Sequence, residues 1–181
     1  MSHFLLIEEL NECFIGTFQA LTNLVIPDWK HDPGEAFQTT KNFSASTTSD
    51  KVIEYSLGGL ARWDAEYFVH IATHGYEREQ SIAFFPAWPY LLSKASSFVN
   101  FENVLSQSSA ILVAGTLLNV VFSLGATDAL YRVTSGVVGP EMAYYSAVLF
   151  CACPATIYFS ALYTEPLFAW ATFEALFWLY K

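Results

Sequence analysis

The chain has 181 residues, of which 54% are hydrophobic and only 14% are charged. A soluble domain usually carries about 25% charged residues, so this composition argues against a water-soluble globular protein and for an all-α, multi-pass membrane protein. The formal net charge of −9 and the lack of any basic cluster argue against nucleic acid as a partner.

The first predicted element is a membrane span over about residues 10–27. Residues 13–27 are apolar and uncharged, whereas Glu8, Glu9 and Glu12 precede them. Acidic side chains are costly at the bilayer centre, so we expect a short helix with its glutamates among the lipid headgroups. The preceding residues lack the basic region and the cleavage site of a signal peptide, and the span is therefore expected to be an uncleaved anchor.

A long loop, residues 28–107, is predicted after this span and holds most of the chain's charge. Residues 31–50 are polar and rich in Ser and Thr, which predicts a flexible segment. The sequon Asn42-Phe43-Ser44 lies within it, so Asn42 is a candidate glycosylation site. Glycosylation would require a lumenal loop, and the sequon favours that side.

The second part of this loop is aromatic. Residues 60–90 contain many Trp, Tyr and Phe side chains. Trp and Tyr prefer the membrane–water boundary, which predicts interfacial helices in this stretch. One of these helices is expected over 60–73, ending near Gly75.

Two further spans are predicted from uncharged runs. Residues 103–127 and 142–164 contain no Asp, Glu, Lys or Arg. Each run exceeds the roughly 20 residues that a helix needs to cross a bilayer. We therefore predict spans over about 108–130 and 142–162.

A short cytosolic loop, residues 131–141, is expected to join these two spans. The final segment, residues 167–181, is apolar apart from Glu174. It is typical of a span that is cut short, so the chain is expected to be the N-terminal portion of a longer protein.

The densest group of candidate functional residues is the run Arg62-Trp63-Asp64-Ala65-Glu66-Tyr67-Phe68. A carboxylate among aromatic rings near lipid loses hydration, which raises its proton affinity and makes it a better base. Glycosyl transfer with inversion needs such a base for the attacking hydroxyl. Asp64 is the candidate; the alternative is an interfacial ion pair between Asp64 and Arg62 or Arg78.

Three blocks of the sequence resemble one family. The run RWDAEYFVHIATHGYEREQSIAFFPAWP (residues 62–89) resembles the first lumenal loop of the GPI mannosyltransferase II family, of the phosphatidylinositol glycan class V type. That loop has a W-D pair, a helix, a G-Y, an acidic-Gln or acidic-His pair and an A-F-F-P-x-x-P stretch. The run CPATIYFSALYTEP (153–166) is similar to the family's N-P-A-S-I-F-x-S-A-x-Y-S-E-S segment, and LVIPD (24–28) matches the end of its first span.

The resemblance implies a GT-C type glycosyltransferase of the endoplasmic reticulum membrane, with loop 28–107 in the lumen. The donor would be dolichyl-phosphate mannose, no cofactor would be needed, and the acceptor would be the first mannose of a GPI precursor, giving an α-1,6 linkage with inversion. Asp64 matches the family's catalytic aspartate, and Tyr163 and Glu165 would face the same side. An accessory membrane subunit is compatible with the resemblance. Departures are Cys153 in place of Asn and Pro166 in place of Ser.

Further residues of these blocks are candidates for substrate binding. Arg62 and Arg78 are candidates for the donor phosphate, because a guanidinium can make two hydrogen bonds to phosphate oxygens; surface pairing with Glu66 or Glu79 is the alternative. Trp63 and Glu79 belong to the matching motifs. Glu165 could position substrate or begin a helix, with Thr164 as its cap.

His70 and His74 are four residues apart on the predicted helix, a spacing that can hold zinc. No third ligand is apparent in the sequence, so no metal is assigned. Packing, or a hydrogen bond from His70 to the acceptor, is the preferred interpretation.

Two other functions remain open from the sequence. One is a non-catalytic membrane relative, such as a truncated scaffold. The other is a GT-C transferase that uses a different acceptor.

Overall fold

The structure is a computed structural model that describes residues 47–77, 79–100 and 104–181. The predicted first span and Asn42 lie outside these residues, as does Arg78. The described residues are helices, 3-10 turns and connecting segments, in agreement with the predicted all-α class. They fall into two compact units, residues 47–117 and residues 118–181.

The first unit begins with α1 (Thr48–Leu57), which runs directly into a 3-10 turn, Gly58–Ala61. Thr47 is the N-cap of α1, and its hydroxyl donates to Asp50 at 2.6 Å. The prediction of a flexible segment over 31–50 is therefore wrong for residues 48–50. Local capping bonds hold these residues in a helix, and Asp50 is completely buried.

Helix α2 (Asp64–His74) is shorter than the helix predicted over 60–73. Trp63 has a φ of +62°, a conformation that a helix cannot contain, so the helix starts only at Asp64. Its C-terminal end is as predicted. Gly75 follows His74 with a φ of +79°, where a residue without a Cβ atom is favoured.

Helix α3 (Ala87–Val99) packs against α2 after a 3-10 turn, Glu79–Ala83. Trp88 and Leu92 are fully buried on its inner face. Burying side chains of this size removes a large apolar area from water, which makes the α2–α3 contact the main core of the first unit.

Helix α4 (Gln107–Val138) has 32 residues and a length of roughly 48 Å, more than the thickness of a bilayer core. It contains the predicted span 108–130 but continues to Val138, so most of the segment 131–141 that was predicted as a connecting loop is helical. No proline interrupts residues 131–138. The break comes at Gly139, with a φ of +95°, and is followed by Pro140.

The predicted continuous span over 142–162 is broken in the structure. Two residues separate helix α5 (Pro140–Cys151) from the 3-10 turn Pro154–Thr156, and α6 (Ile157–Ser160) follows. The two parts are bent by 58°. Pro154 has no N–H group and its ring clashes with a preceding carbonyl, so it kinks or breaks an α-helix.

Helix α7 (Glu165–Tyr180) closely matches the predicted final segment, 167–181. Thr164 occupies the N-cap position and Pro166 lies in the first turn, as expected, but the Thr164 hydroxyl makes no capping hydrogen bond. Among the described residues, α4 is the one helix that is long and apolar enough to cross a membrane. The bent segment α5–α6 would be a second if it counts as one span.

Candidate active site

A strained turn presents the candidate base. The amide of Ala65 donates to the carbonyl of Arg62 at 3.3 Å, which closes a turn around Trp63 and Asp64. Trp63 has φ and ψ of 62° and −129°, close to the first central position of a type II′ turn. Glycine dominates that position because a Cβ atom is strained there, at a cost of about 1–3 kcal/mol. Strain of this kind is concentrated at functional sites.

Asp64 is the first residue of α2, and its side chain is exposed. A helix N-terminus carries partial positive charge, which favours a carboxylate at this position. The described residues leave Asp64 exposed, and the loss of hydration that the sequence predicted for it near lipid stays a prediction. The desolvated carboxylate of this turn is Glu66, where burial raises the pKa and the charge of Arg62 opposes the rise.

The two histidines of α2 lie together as predicted from their spacing. Their rings stack with centroids 4.9 Å apart, and the hydroxyl of Thr73 is 2.6 Å from His74 Nδ1. His70 is only 5% exposed, and its Nε2 is 4.0 Å from a carboxylate oxygen of Glu77. Because His70 is buried, a packing role is favoured over a direct hydrogen bond from His70 to the acceptor substrate. No cluster of three metal-ligating side chains occurs within residues 47–77, 79–100 and 104–181.

The A-F-F-P block folds back onto α2. Phe84 stacks on Tyr67 with ring centroids 4.7 Å apart and contacts Phe68 edge-on at 5.2 Å. The hydroxyl of Tyr76 donates to the Phe84 carbonyl at 2.7 Å. These contacts fix the segment that carries Glu79, which is exposed at the start of its 3-10 turn.

Comparison with known proteins gives the family. The family described as mannosyltransferase (PIG-V) matches residues 13–181. This chain belongs to that family. The resemblance of the three sequence blocks is thereby confirmed.

Several curated proteins of the mannosyltransferase (PIG-V) family are similar to the chain. GPI alpha-1,6-mannosyltransferase 2 of Cricetulus griseus is 42% identical over 160 residues, which are 87% of this chain and 32% of that protein. The human protein of the same name is 39% identical over the same shares. GPI mannosyltransferase 2 of Drosophila melanogaster is 31% identical, covering 87% of this chain and 35% of the relative.

The chain therefore spans about a third of the length of these relatives. No solved structure matches it. The family assignment rests on sequence similarity, and the geometry of the site comes from this chain alone.

The sequence block 153–166, which resembles a segment of the mannosyltransferase (PIG-V) family, lies in the second unit. Tyr163 stacks against Tyr158 with ring centroids 6.0 Å apart, and its amide donates to the Ala161 carbonyl at 2.7 Å. Glu165 is exposed in the first turn of α7. Asp64, by contrast, belongs to the first unit.

Asp50 is a buried polar residue that was not among the residues predicted from the sequence. Its carboxylate accepts hydrogen bonds from the Thr47 hydroxyl and, at 2.9 Å, from the Ser106 amide at the start of α4. Hydrogen bonds from Thr47, the Ser106 amide and Ser109 hold its pKa well below the usual range. The spacing Thr47-x-x-Asp50 is a capping-box pattern and could have indicated the helix start.

Proposed function

We propose that the protein transfers mannose from dolichyl-phosphate mannose to the first mannose of a GPI precursor, forming an α-1,6 linkage. Membership of the mannosyltransferase (PIG-V) family supports the mannosyl transfer. The names of its mammalian relatives support the acceptor class and the linkage.

In this mechanism Asp64 is the general base. Its carboxylate takes the proton of the acceptor hydroxyl as that oxygen bonds to the anomeric carbon of mannose. The bond from that carbon to the phosphate oxygen breaks, and dolichyl phosphate leaves with the electron pair. Attack opposite the leaving group inverts the β-linked donor into an α-linked product. The observation that supports this role is that the exposed carboxylate of Asp64 lies at the start of a helix, directly after the strained turn.

Glu66 is a second candidate for proton transfer on the same helical turn. Burial raises its pKa, which brings its proton affinity closer to that of a base useful near neutral pH. Its side chain is half-buried, whereas that of Asp64 is exposed, so Asp64 is better placed to reach a bound acceptor. The two carboxylates have to be tested side by side.

The surrounding side chains are assigned to substrate binding. Trp63 is 80% exposed and offers an aromatic surface beside Asp64. Arg62, the first residue of the same turn, is exposed and suits the donor phosphate because of its forked guanidinium. Glu79 of the same unit, and Tyr163 and Glu165 of the second unit, are further candidates because they belong to the sequence blocks that match the family.

The protein is further proposed to be a multi-pass GT-C enzyme of the endoplasmic reticulum membrane, with loop 28–107 in the lumen. The length of α4 and the apolar α5–α6 segment support membrane crossing. An enzyme that uses a dolichyl donor and a GPI acceptor has both substrates in that membrane. Glycosylation at Asn42, compared with an Asn42→Gln control, tests the side of the loop.

The experiment for the activity is rescue of cells that lack GPI mannosyltransferase 2. The complete protein is expressed as wild type, Asp64→Asn or Glu66→Gln, and surface GPI-anchored proteins are counted by flow cytometry at equal expression. We expect rescue by wild type and by Glu66→Gln, and none by Asp64→Asn. Failure of the wild type, with another sugar lipid accumulating, would favour a different acceptor. Full rescue by Asp64→Asn would remove Asp64 from the mechanism.

A further inference from the structure

Helix α3 presents two opposite faces. Trp88, Leu92 and Ser96, spaced four residues apart, are buried on the side that packs in the first unit. Tyr90, Lys94 and Phe98 follow the same spacing, offset by two residues, which turns them about 200° around the helix. Tyr90 is 63% exposed and Phe98 is 84% exposed. The outer face therefore carries an aromatic stripe, Tyr90–Lys94–Phe98, that the described residues leave open.

The end of this stripe is fixed at the start of the membrane-length helix. The Asn100 side chain, which follows the last residue of α3, donates to the Leu105 carbonyl at 2.8 Å and accepts from the Leu105 amide at 2.9 Å. Ser106, the next residue, is the last before α4 begins at Gln107. The C-terminal end of α3 therefore lies beside the point where α4 begins.

The chemistry of the stripe suits the boundary of a bilayer. Tyr rings concentrate at the level of the lipid headgroups, with an apolar body and a polar edge. Lys94 lies with its ammonium group 5.5 Å from the centre of the Tyr90 ring. A lysine at this depth keeps its apolar stem along the stripe and its charge among phosphates. Just before α3, Ile82 and Phe85 add further exposed apolar surface.

We propose that the Tyr90–Lys94–Phe98 stripe of α3 lies in the headgroup region of the phospholipid leaflet that the N-terminal end of α4 enters. The commitment to lipid follows from the fixed connection to α4, because a surface held at the mouth of a span meets the bilayer edge. Sequence composition predicted interfacial helices in this loop, and the structure gives one helix whose exposed aromatic face fits that position. The proposal rests on the membrane crossing of α4 proposed above, and it does not depend on mannosyl transfer.

Photo-crosslinking of the complete protein in microsomes tests the proposal. A diazirine amino acid is placed at position 90 or at position 98, and the membranes are labelled with tritiated phosphatidylcholine. The matched control is a leucine-sized diazirine amino acid at position 92, which preserves the buried shape of Leu92. Expression and membrane integration are compared with the wild type before irradiation.

We expect labelled lipid adducts at 90 and 98, several-fold more abundant than at 92, where crosslinks within the chain should dominate. Protein adducts at 98 without lipid would overturn the proposal, because another protein surface would then cover the stripe. A probe at position 98 that gives neither lipid nor protein adducts would indicate that it reacts with water, and this result would also overturn the proposal. Equal lipid labelling at 92 and 98 would contradict the assignment of faces.

Discussion

Replacing Trp63 by glycine and, separately, by alanine distinguishes the strain of its backbone from the role of its ring. The backbone conformation at φ +62° costs a non-glycine residue about 1–3 kcal/mol, and alanine retains this cost because it keeps the Cβ atom. Glycine relieves this strain. Its unfolded chain has greater conformational freedom, however, which lowers the stability of the folded protein by about 0.5–1 kcal/mol. The ring is 80% exposed, so either change removes little packing. Trp63→Gly should therefore be more stable than Trp63→Ala by about 1 kcal/mol.

Both variants should nevertheless lose mannosyl transfer if the ring binds substrate. The assay is the thermal unfolding of the complete protein in detergent, run beside a transfer measurement under identical conditions. Equal or greater stability of Trp63→Ala would refute the strained turn. Wild-type transfer by both variants would refute a binding role for the Trp63 ring.

Three further changes test the packing and the polar contacts of the two units. Gly125→Ala should destabilise the protein by about 1–3 kcal/mol, measured by thermal unfolding, because the new Cβ would lie 2.9 Å from a ring carbon of Trp170. Asp50→Asn should flatten the acid side of a stability–pH curve. The depressed pKa of Asp50 gives stability that is present above its unfolded pKa of about 4 and lost as the pH falls below it. Glu174→Gln should cost about 1–3 kcal/mol in the same unfolding assay, because it weakens a hydrogen bond to the charged Arg132.

Controls for these changes are available in the chain. Gly136→Ala places its Cβ 3.2 Å from the Tyr180 ring near the end of α7, where a small ring shift can relieve the contact, so its effect should be smaller. An Asp50→Asn protein that keeps the full wild-type loss of stability in acid would show that another group is responsible. Unchanged stability of Glu174→Gln would indicate that Asp128, which bonds Arg132 at 2.8 Å, holds the guanidinium alone.

Local signals in the sequence predicted the parts of the fold that depend on local geometry. Gly75 ends α2 because a left-handed residue after a helix favours glycine, and Thr164-Glu165-Pro166 begins α7 because proline fits a first turn. A long uncharged run predicted residues 108–130 of α4, since a helix that crosses a bilayer requires a run of this length, but the run did not indicate the extension to Val138.

Other features could not be predicted, or were outweighed by a stronger pattern. The burial of Asp50 depends on Ser106, 56 residues away, and composition alone made this part of the chain look like a flexible loop. The span over 142–162 was predicted from the length of the apolar run, although a proline such as Pro154 inside a helix is itself a reason to expect a break. The positive φ of Trp63 has no signal in its residue type, because glycine is the usual occupant of such a turn.

The assignment of Asp64 as the base is tested most directly by transfer in vitro. The complete protein is purified as wild type, Asp64→Asn and Glu66→Gln, and supplied with dolichyl-phosphate mannose carrying labelled sugar and a GPI precursor with one mannose. General-base catalysis contributes about 100-fold or more, so Asp64→Asn should slow transfer by at least that factor, while Glu66→Gln keeps most of the rate. A wild-type rate in Asp64→Asn, with the large loss in Glu66→Gln, would contradict the assignment of Asp64 and would identify Glu66 as the base.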